Sequence, residues 1–176
     1  MADFKGAIGY ILENEGGYTN DPSDSGGETY MGVSRKNFPD LQLWKMLEEY
    51  KPLAHGEIVE DAAIASFVNT FYYNQFWKNI HGDGIDSQAI ATYLFDWYVN
   101  AGGNAIKNVQ RILGVDDDGV FGNGTLNALN AAGAILGKIH AKRIDYYNAI
   151  GLKQPKFLKG WLNRANGLYD ILKDIE

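Results

Sequence analysis

Glu15-Gly16-Gly17-Tyr18-Thr19-Asn20-Asp21-Pro22-Ser23-Asp24-Ser25-Gly26-Gly27-Glu28-Thr29-Tyr30-Met31-Gly32-Val33-Ser34 is the stretch on which the reading of this chain turns. It is polar and dense in glycine, with Asp-Pro and Asp-Ser-Gly-Gly runs that favour turns, so it predicts loops and a short hairpin. Just before it, Asp3 is a candidate N-cap, and Phe4, Ile8, Ile11 and Leu12 recur at helical spacing until Gly16-Gly17 stops the pattern. On a helical wheel started at Phe4, Glu15 falls at about 20°, inside the apolar stripe, and Glu13 at about 180°, on the solvent side. A carboxyl at the last turn of a buried stripe sits at the edge of a cleft. Desolvation there favours the neutral form that a proton donor needs. By position alone, a surface residue at a frayed helix end fits as well.

Outward from this stretch, helical patterns return around residues 41–50, 60–80, 87–101, 104–113, 123–131, 134–150 and 156–175. Asp40, Ser87 and Asn123 are candidate caps, and Gly102-Gly103 and Gly114 are breaks. At 176 residues with 45% hydrophobic and 22% charged content, the chain is sized for one domain, or one with a small appendage. The 21 glycines against 4 prolines suggest tight turns between helices rather than Pro-rich linkers. These patterns predict an all-α or α+β fold with one small β region near the N-terminus.

A net charge of −6 argues against a partner of nucleic acid. No cluster of Lys or Arg is visible in the sequence, which argues against anionic membranes, and no apolar run is long enough for membrane insertion. With 0 cysteines, a disulfide frame, a thiolate metal site and a cysteine nucleophile are all excluded. His55, His81 and His140 are scattered and form no zinc-binding pair. The N-terminal residues lack the pattern of a secretory signal, so the expectation is synthesis in the cytoplasm and a separate route to any substrate outside it.

The loop after Glu15 holds Asp21, Asp24 and Glu28. A second carboxylate opposite an acid is the arrangement that glycoside hydrolysis requires, although each of these residues taken singly is also an ordinary turn former. Asp96 and Asn100 lie four apart on one helical face, to bind substrate or to brace the hairpin. Most of the aromatic residues are spaced as core faces, with Tyr18 and Trp97 as candidate platforms for sugar rings.

Taken together, Glu15-Gly16-Gly17-Tyr18, Asn20-Asp21-Pro22, Asp24, Gly26-Gly27, Thr29 and Gly32-Val33-Ser34 resemble the signature of the glycoside hydrolase family 108 muramidases. These are also described as secretion activator proteins and phage endolysins. Ala91, Leu94-Phe95-Asp96, Val99-Asn100-Ala101-Gly102 and Gly160-Trp161-Leu162-Asn163-Arg164 are similar to the family's later blocks, so the resemblance covers nearly the whole chain. It implies a lysozyme-like fold and hydrolysis of the β-1,4 bond between N-acetylmuramic acid and N-acetylglucosamine in peptidoglycan glycan strands. It also implies that Glu15, the glutamate before Gly-Gly-Tyr, is the catalytic acid. The segment is similar to the acid–hairpin unit of phage-type lysozymes, which carries catalytic roles to Asp24, nine residues on, and to Thr29. Where that pattern has Asn-Tyr before the glycine, this chain has Tyr30-Met31. Tyr18, Asp21, Tyr30, Asp96, Trp97 and Asn100 complete the substrate-binding set.

Residues 104–129 resemble a peptidoglycan-binding repeat, in which Asp118-Gly119 forms a turn, Phe121 plugs the core, Gly122 permits a bend and Thr125 opens the next helix. A structural helix–turn–helix that touches no sugar explains the same residues. A calcium loop at Asp116-Asp117-Asp118 fails, because Gly114 stands at its first position and the later Glu is missing.

The expectation is therefore a lysozyme-like α+β fold, mainly α-helical, with a catalytic region over 1–102 and a C-terminal helical region over 103–176 packed as one unit. It needs no cofactor or metal. Its partner is peptidoglycan, reached after export or lysis through a holin or other export partner. The rival readings are a lytic transglycosylase and a non-catalytic wall-binding protein that aids secretion or phage assembly.

Overall fold

The computed structural model describes residues 1–20 and 27–175. Helix α1 (Phe4–Glu15) leads into three two-residue strands, β1 (Tyr18–Thr19), β2 (Thr29–Tyr30) and β3 (Val33–Ser34). Then come α2 (Gln42–Glu48), α3 (Ala62–Tyr72), α4 (Gln88–Ala101), α5 (Gly103–Leu113), α6 (Asn123–Ala131), α7 (Leu136–Gly151) and α8 (Pro155–Leu172). The strands form one antiparallel sheet in the order β1-β2-β3. The helical pattern read over 60–80 is not one helix: α3 gives way to a π-helical turn at Tyr73–Trp77 and a 3-10 turn at Lys78–Ile80. His81 then adopts φ 50° and closes the segment.

The caps are partly those expected. Asp3 Oδ1 accepts from the Lys5 amide at 3.3 Å, and Ser87 Oγ accepts from the Ile90 amide at 3.2 Å. Asp40 and Asn123 are not caps, because Leu41 and Gly122 hold those positions. Asp61 caps α3 instead, accepting from Ala63 and Ile64 at 2.7 and 2.9 Å.

The contacts divide the chain into two compact units, Met1–Tyr10 with Asn74–Glu176, and Ile11–Tyr73. That division differs from the sequence boundary at 102/103, because α4 packs against α5, α7 and α8. Residues on both sides of Gly102 therefore share one core. Gly102 takes φ 54° and ψ −138°, which lets α5 start directly where α4 ends.

In the larger unit α4 is the central element. Nine consecutive residues, Ala89 to Trp97, are buried, so this helix is enclosed on all sides rather than along one stripe. Phe4 meets Trp77 and Phe95 edge-on or tilted, with ring centroids 5.8 and 5.9 Å away, and Trp77 meets Phe95 at 5.4 Å. Among these apolar side chains lies Asp96, wholly enclosed. One of its oxygens accepts from Arg143 Nη2 of α7 at 2.6 Å, and the other accepts from Arg164 Nε and Nη2 of α8 at 2.9 and 2.7 Å. Arg143 is equally enclosed, with its guanidinium 5.0 and 5.3 Å from the ring centres of Tyr93 and Tyr147.

The repeat-like segment is held from inside. Gln110, only 2% exposed, donates through Nε2 to Asp118 Oδ1, the Val120 carbonyl and Thr125 Oγ1, and its Oε1 accepts from the Gly119 amide. Gly119 has φ 83° in the turn and Phe121 is 2% exposed, as the sequence suggests. Gly122 differs, since its φ of −92° is open to any residue.

Two outcomes follow from α4. Asp96→Asn leaves the buried Arg143 and the half-buried Arg164 guanidinium groups uncompensated, and chemical denaturation is expected to show a loss of about 3–5 kcal/mol. A chain ending at Gly102 lacks both arginines and the three later helices, α5, α7 and α8, that pack against α4. It is expected to bind a hydrophobic dye and to lose near-ultraviolet circular dichroism, whereas a cooperative unfolding transition for it would refute the shared core.

Candidate active site

In the smaller unit, α1 ends on Glu15, which is half-buried, while Glu13 is exposed and Ile11 fully buried. Gly16 follows with φ 69°, the left-handed conformation that terminates a helix. Gly17 is required for a different reason: a Cβ there would drive into the backbone carbonyls of Gly56 and Glu57. That close approach is sealed by two hydrogen bonds, Tyr18 amide to Glu57 carbonyl at 2.8 Å and Gly56 amide to Tyr18 carbonyl at 2.7 Å. The Gly-Gly pair thus turns the chain sharply and lays β1 against residues 56–57.

The sheet has a defined register. Tyr18 faces Tyr30 and Thr19 faces Thr29 across β1 and β2, while Thr29 faces Ser34 and Tyr30 faces Val33 across β2 and β3. The two-residue loop between β2 and β3 is Met31-Gly32, with φ 45° and 77°, the paired positive values of a type I′ turn. Tyr72 of α3 holds that turn by donating its hydroxyl to the Met31 carbonyl at 2.8 Å. The turn lies directly on Glu15: a Cβ placed on Gly32 would be 2.7 Å from Glu15 Oε2 and would collide with the Tyr72 hydroxyl. Helix end, turn and α3 therefore meet at the Glu15 carboxyl.

Glu28, one of three carboxylates in the loop, has a different setting. It accepts from Tyr18 Oη at 3.0 Å and Arg35 Nη1 at 2.6 Å, and pairs with Lys51 Nζ at 2.7 Å. Burial works to raise its titration, but the hydrogen bonds from Lys51, Arg35 and Tyr18 outweigh it and hold the carboxyl below its ordinary range. Glu48 extends the cluster, 3.3 Å from Arg35 and 2.7 Å from Lys51. Committed in this way, Glu28 braces the hairpin and is not free to serve as a second reactive carboxylate. Asp21 and Asp24 lie outside the described residues.

The remaining expected residues fall into several settings. Thr29 is half-buried in the middle strand. Tyr18 is buried with its hydroxyl on Glu28, and burial is the main cause that raises its titration. Tyr30 is 1% exposed, and its hydroxyl accepts from the Val59 amide at 3.1 Å. Both rings pack the hairpin and are not laid open as platforms for sugar. Asp96, Trp97 and Asn100 belong to the larger unit. Asp96 and Trp97 are fully enclosed, and the partners of Asp96 are Arg143 and Arg164, so it braces helices and not the hairpin. Asn100 is exposed and donates to the Asp96 carbonyl one turn back.

Sequence reasoning missed Tyr72, left among the aromatic residues spaced as core faces, and the Arg35–Glu28–Lys51 cluster. Among the described residues, no group of three or more His, Asp or Glu side chains could hold a metal ion.

The turn makes a direct prediction. Gly16 and Gly32 both have positive φ, but only Gly32 has neighbours in the space of a Cβ. Gly16→Ala is expected to cost about 1–2 kcal/mol for the backbone conformation alone. Gly32→Ala is expected to cost clearly more in the same denaturation assay, and to displace Glu15 and Tyr72. Equal costs would show that the turn does not press on Glu15.

Comparison with known proteins bears on the whole arrangement. Among solved structures, that of Brucella abortus SagA superposes with a TM-score of 0.73 at 24% identity, over 98% of this chain and 94% of that chain. This likeness establishes the fold, a mainly helical, lysozyme-like α+β architecture. No curated protein matches the chain. The family model described as Predicted Peptidoglycan domain matches residues 104–166. The model described as Glycosyl hydrolase 108 matches residues 8–102, more than half of the chain, and takes in most of α1, the sheet and α4. The chain belongs to the glycosyl hydrolase 108 family.

Proposed function

We propose that the protein is an N-acetylmuramidase that hydrolyses the β-1,4 bond between N-acetylmuramic acid and N-acetylglucosamine in peptidoglycan. The observation that carries this reading is the setting of Glu15. Its carboxyl is half-buried at a helix end and is pressed by a type I′ turn that α3 holds in place. A general acid needs such fixed placement, because proton transfer to the glycosidic oxygen demands hydrogen-bond reach in the transition state. The family supports a glycoside hydrolase, and the peptidoglycan domain match supports the polymer on which it acts.

In this reading Glu15 protonates the glycosidic oxygen as the bond to the anomeric carbon breaks. Asp24 stabilises the oxocarbenium-like centre or activates the incoming water, and Thr29 positions that water. Water then supplies the new hydroxyl, leaving a reducing end. Asp96 and Trp97 have no part in substrate contact, since both are enclosed.

Glu15→Gln is expected to lower the release of reducing ends from purified peptidoglycan by about 10² to 10⁴-fold, with folding intact. Glu13→Gln, exposed on the same helix, should keep its activity. Asp24→Asn should lose most activity and Asp21→Asn much less. Mass spectrometry of the fragments checks the chemistry. Anhydro-muramic ends would identify a transglycosylase, and intact polymer with the unaltered protein would identify a binding protein without catalysis.

A further inference from the structure

The motif at 104–129 does not account for wall contact by the C-terminal region. Its distinctive side chains turn inward: Gln110, Phe121 and Thr125 are buried, and Asp118 closes the turn that Gln110 holds. Another surface must carry any contact with polymer.

The junction of α7 and α8 offers one. Leu152 is 87% exposed and Phe157 50% exposed, and Lys153, Lys156 and Lys159 all lie open. Behind Phe157 the aromatic rings form a ladder into the core. Phe157 stacks on Trp161 at 5.8 Å and 27°, and Trp161 stacks on Tyr147 at 5.6 Å and 23°. Tyr147 is 3% exposed and its hydroxyl accepts from the enclosed Arg143 at 3.2 Å, so the outer ring rests on a rigid base. Lys156 Nζ sits 5.6 Å from the Phe157 ring centre.

The charge here is opposite to that of the chain. Residues 152–164 hold Lys153, Lys156, Lys159 and Arg164 with no Asp or Glu, in a protein of net charge −6. Arg164 is committed to Asp96. None of the three lysines forms an ion pair among the described residues. The cluster corrects the sequence reading, which found none because the lysines are spaced by three rather than run together. Lysines around the first turn of α8 oppose the positive end of the helix dipole, and an open phenyl ring is unfavourable in water. Both penalties are relieved by an anionic partner with an apolar C–H face.

We propose that this face docks the protein on peptidoglycan, with the Phe157–Trp161 edge stacked on the C–H face of a sugar ring and the three lysines paired with stem-peptide carboxylates. Charge complementarity selects this occupant: the polymer carries free carboxylates beside its sugars. The inference rests on peptidoglycan being the substrate, and it assigns the docking face to residues 152–161.

The test is co-sedimentation with purified sacculi, using Glu15→Gln protein so that the polymer stays whole, beside a cleavage assay of the unaltered chain. The set K153Q/K156Q/K159Q and, separately, Phe157→Ser are each expected to weaken sedimentation on the order of tenfold. The lysine effect should vanish in high salt and on sacculi whose carboxylates have been amidated, while the Phe157 effect should persist. The three lysines are exposed, so the first variant keeps the question decidable if Phe157→Ser unfolds. Binding by both variants equal to that of the parent would overturn the docking face, and, with cleavage of sacculi retained, the muramidase reading would stand. Binding to phosphatidylglycerol vesicles without binding to sacculi would overturn the occupant. A parent that neither binds nor cleaves sacculi would overturn both readings.

Discussion

A carboxylate with no path to solvent organises the larger unit. Asp96 sits midway along a helix enclosed on every side, where an unpaired charge would be prohibitively costly. Both oxygens are therefore filled, one by Arg143 from α7 and the other by Arg164 from α8. Because α7 and α8 also pack on one another, meeting both requirements sets the register of three helices at once. An ion group of this kind adds little net stability over an apolar core of equal shape, but removing one partner is severe. Its contribution lies in specifying one arrangement, and the rings of Tyr93 and Tyr147 around Arg143 enclose the cation that this arrangement needs.

The smaller unit handles its carboxylates differently. Glu28 is surrounded by Lys51, Arg35 and Tyr18, and this company keeps it ionised and structural. Glu15 is placed by backbone: a left-handed glycine ends its helix, a second glycine allows contact with residues 56–57, and a third leaves room for its oxygen under the hairpin turn. Gly16, Gly17 and Gly32 thus have three separate physical duties. Only Gly17 and Gly32 are constrained by the lack of a side chain as well as by conformation or close approach.

Much of this was legible from periodicity and turn chemistry. The apolar stripe of α1 marks Glu15 as half-buried, and the later helices stand within a few residues of their patterns, because 3.6-residue spacing and glycine breaks are local properties. The segment at 60–80 misled for the same reason: nothing local signals that α3 loosens into a π-helical turn after Tyr72. Caps were harder still. Asp40 and Asn123 have the right chemistry one residue away from the position that holds the cap, and a shift of one residue lies below what local pattern resolves.

By itself, then, the sequence determined the element types, the stripe that carries Glu15, the glycine punctuation and, through its motifs, the family. Only the tertiary structure decided what each polar residue touches. Asp96 and Asn100 look alike on a helical face, yet one is sealed between two arginines and the other is open to solvent. Glu28 read as one of three equivalent loop acids until Lys51, 23 positions on, reached it. Tyr18 read as a sugar platform and Tyr30 as a substrate-binding residue until their partners across the sheet and at Val59 enclosed them. The physical reason is common to all of these: helix and turn formation depend on neighbours within a few residues, whereas burial and pairing of a polar group depend on which distant segment is folded against it.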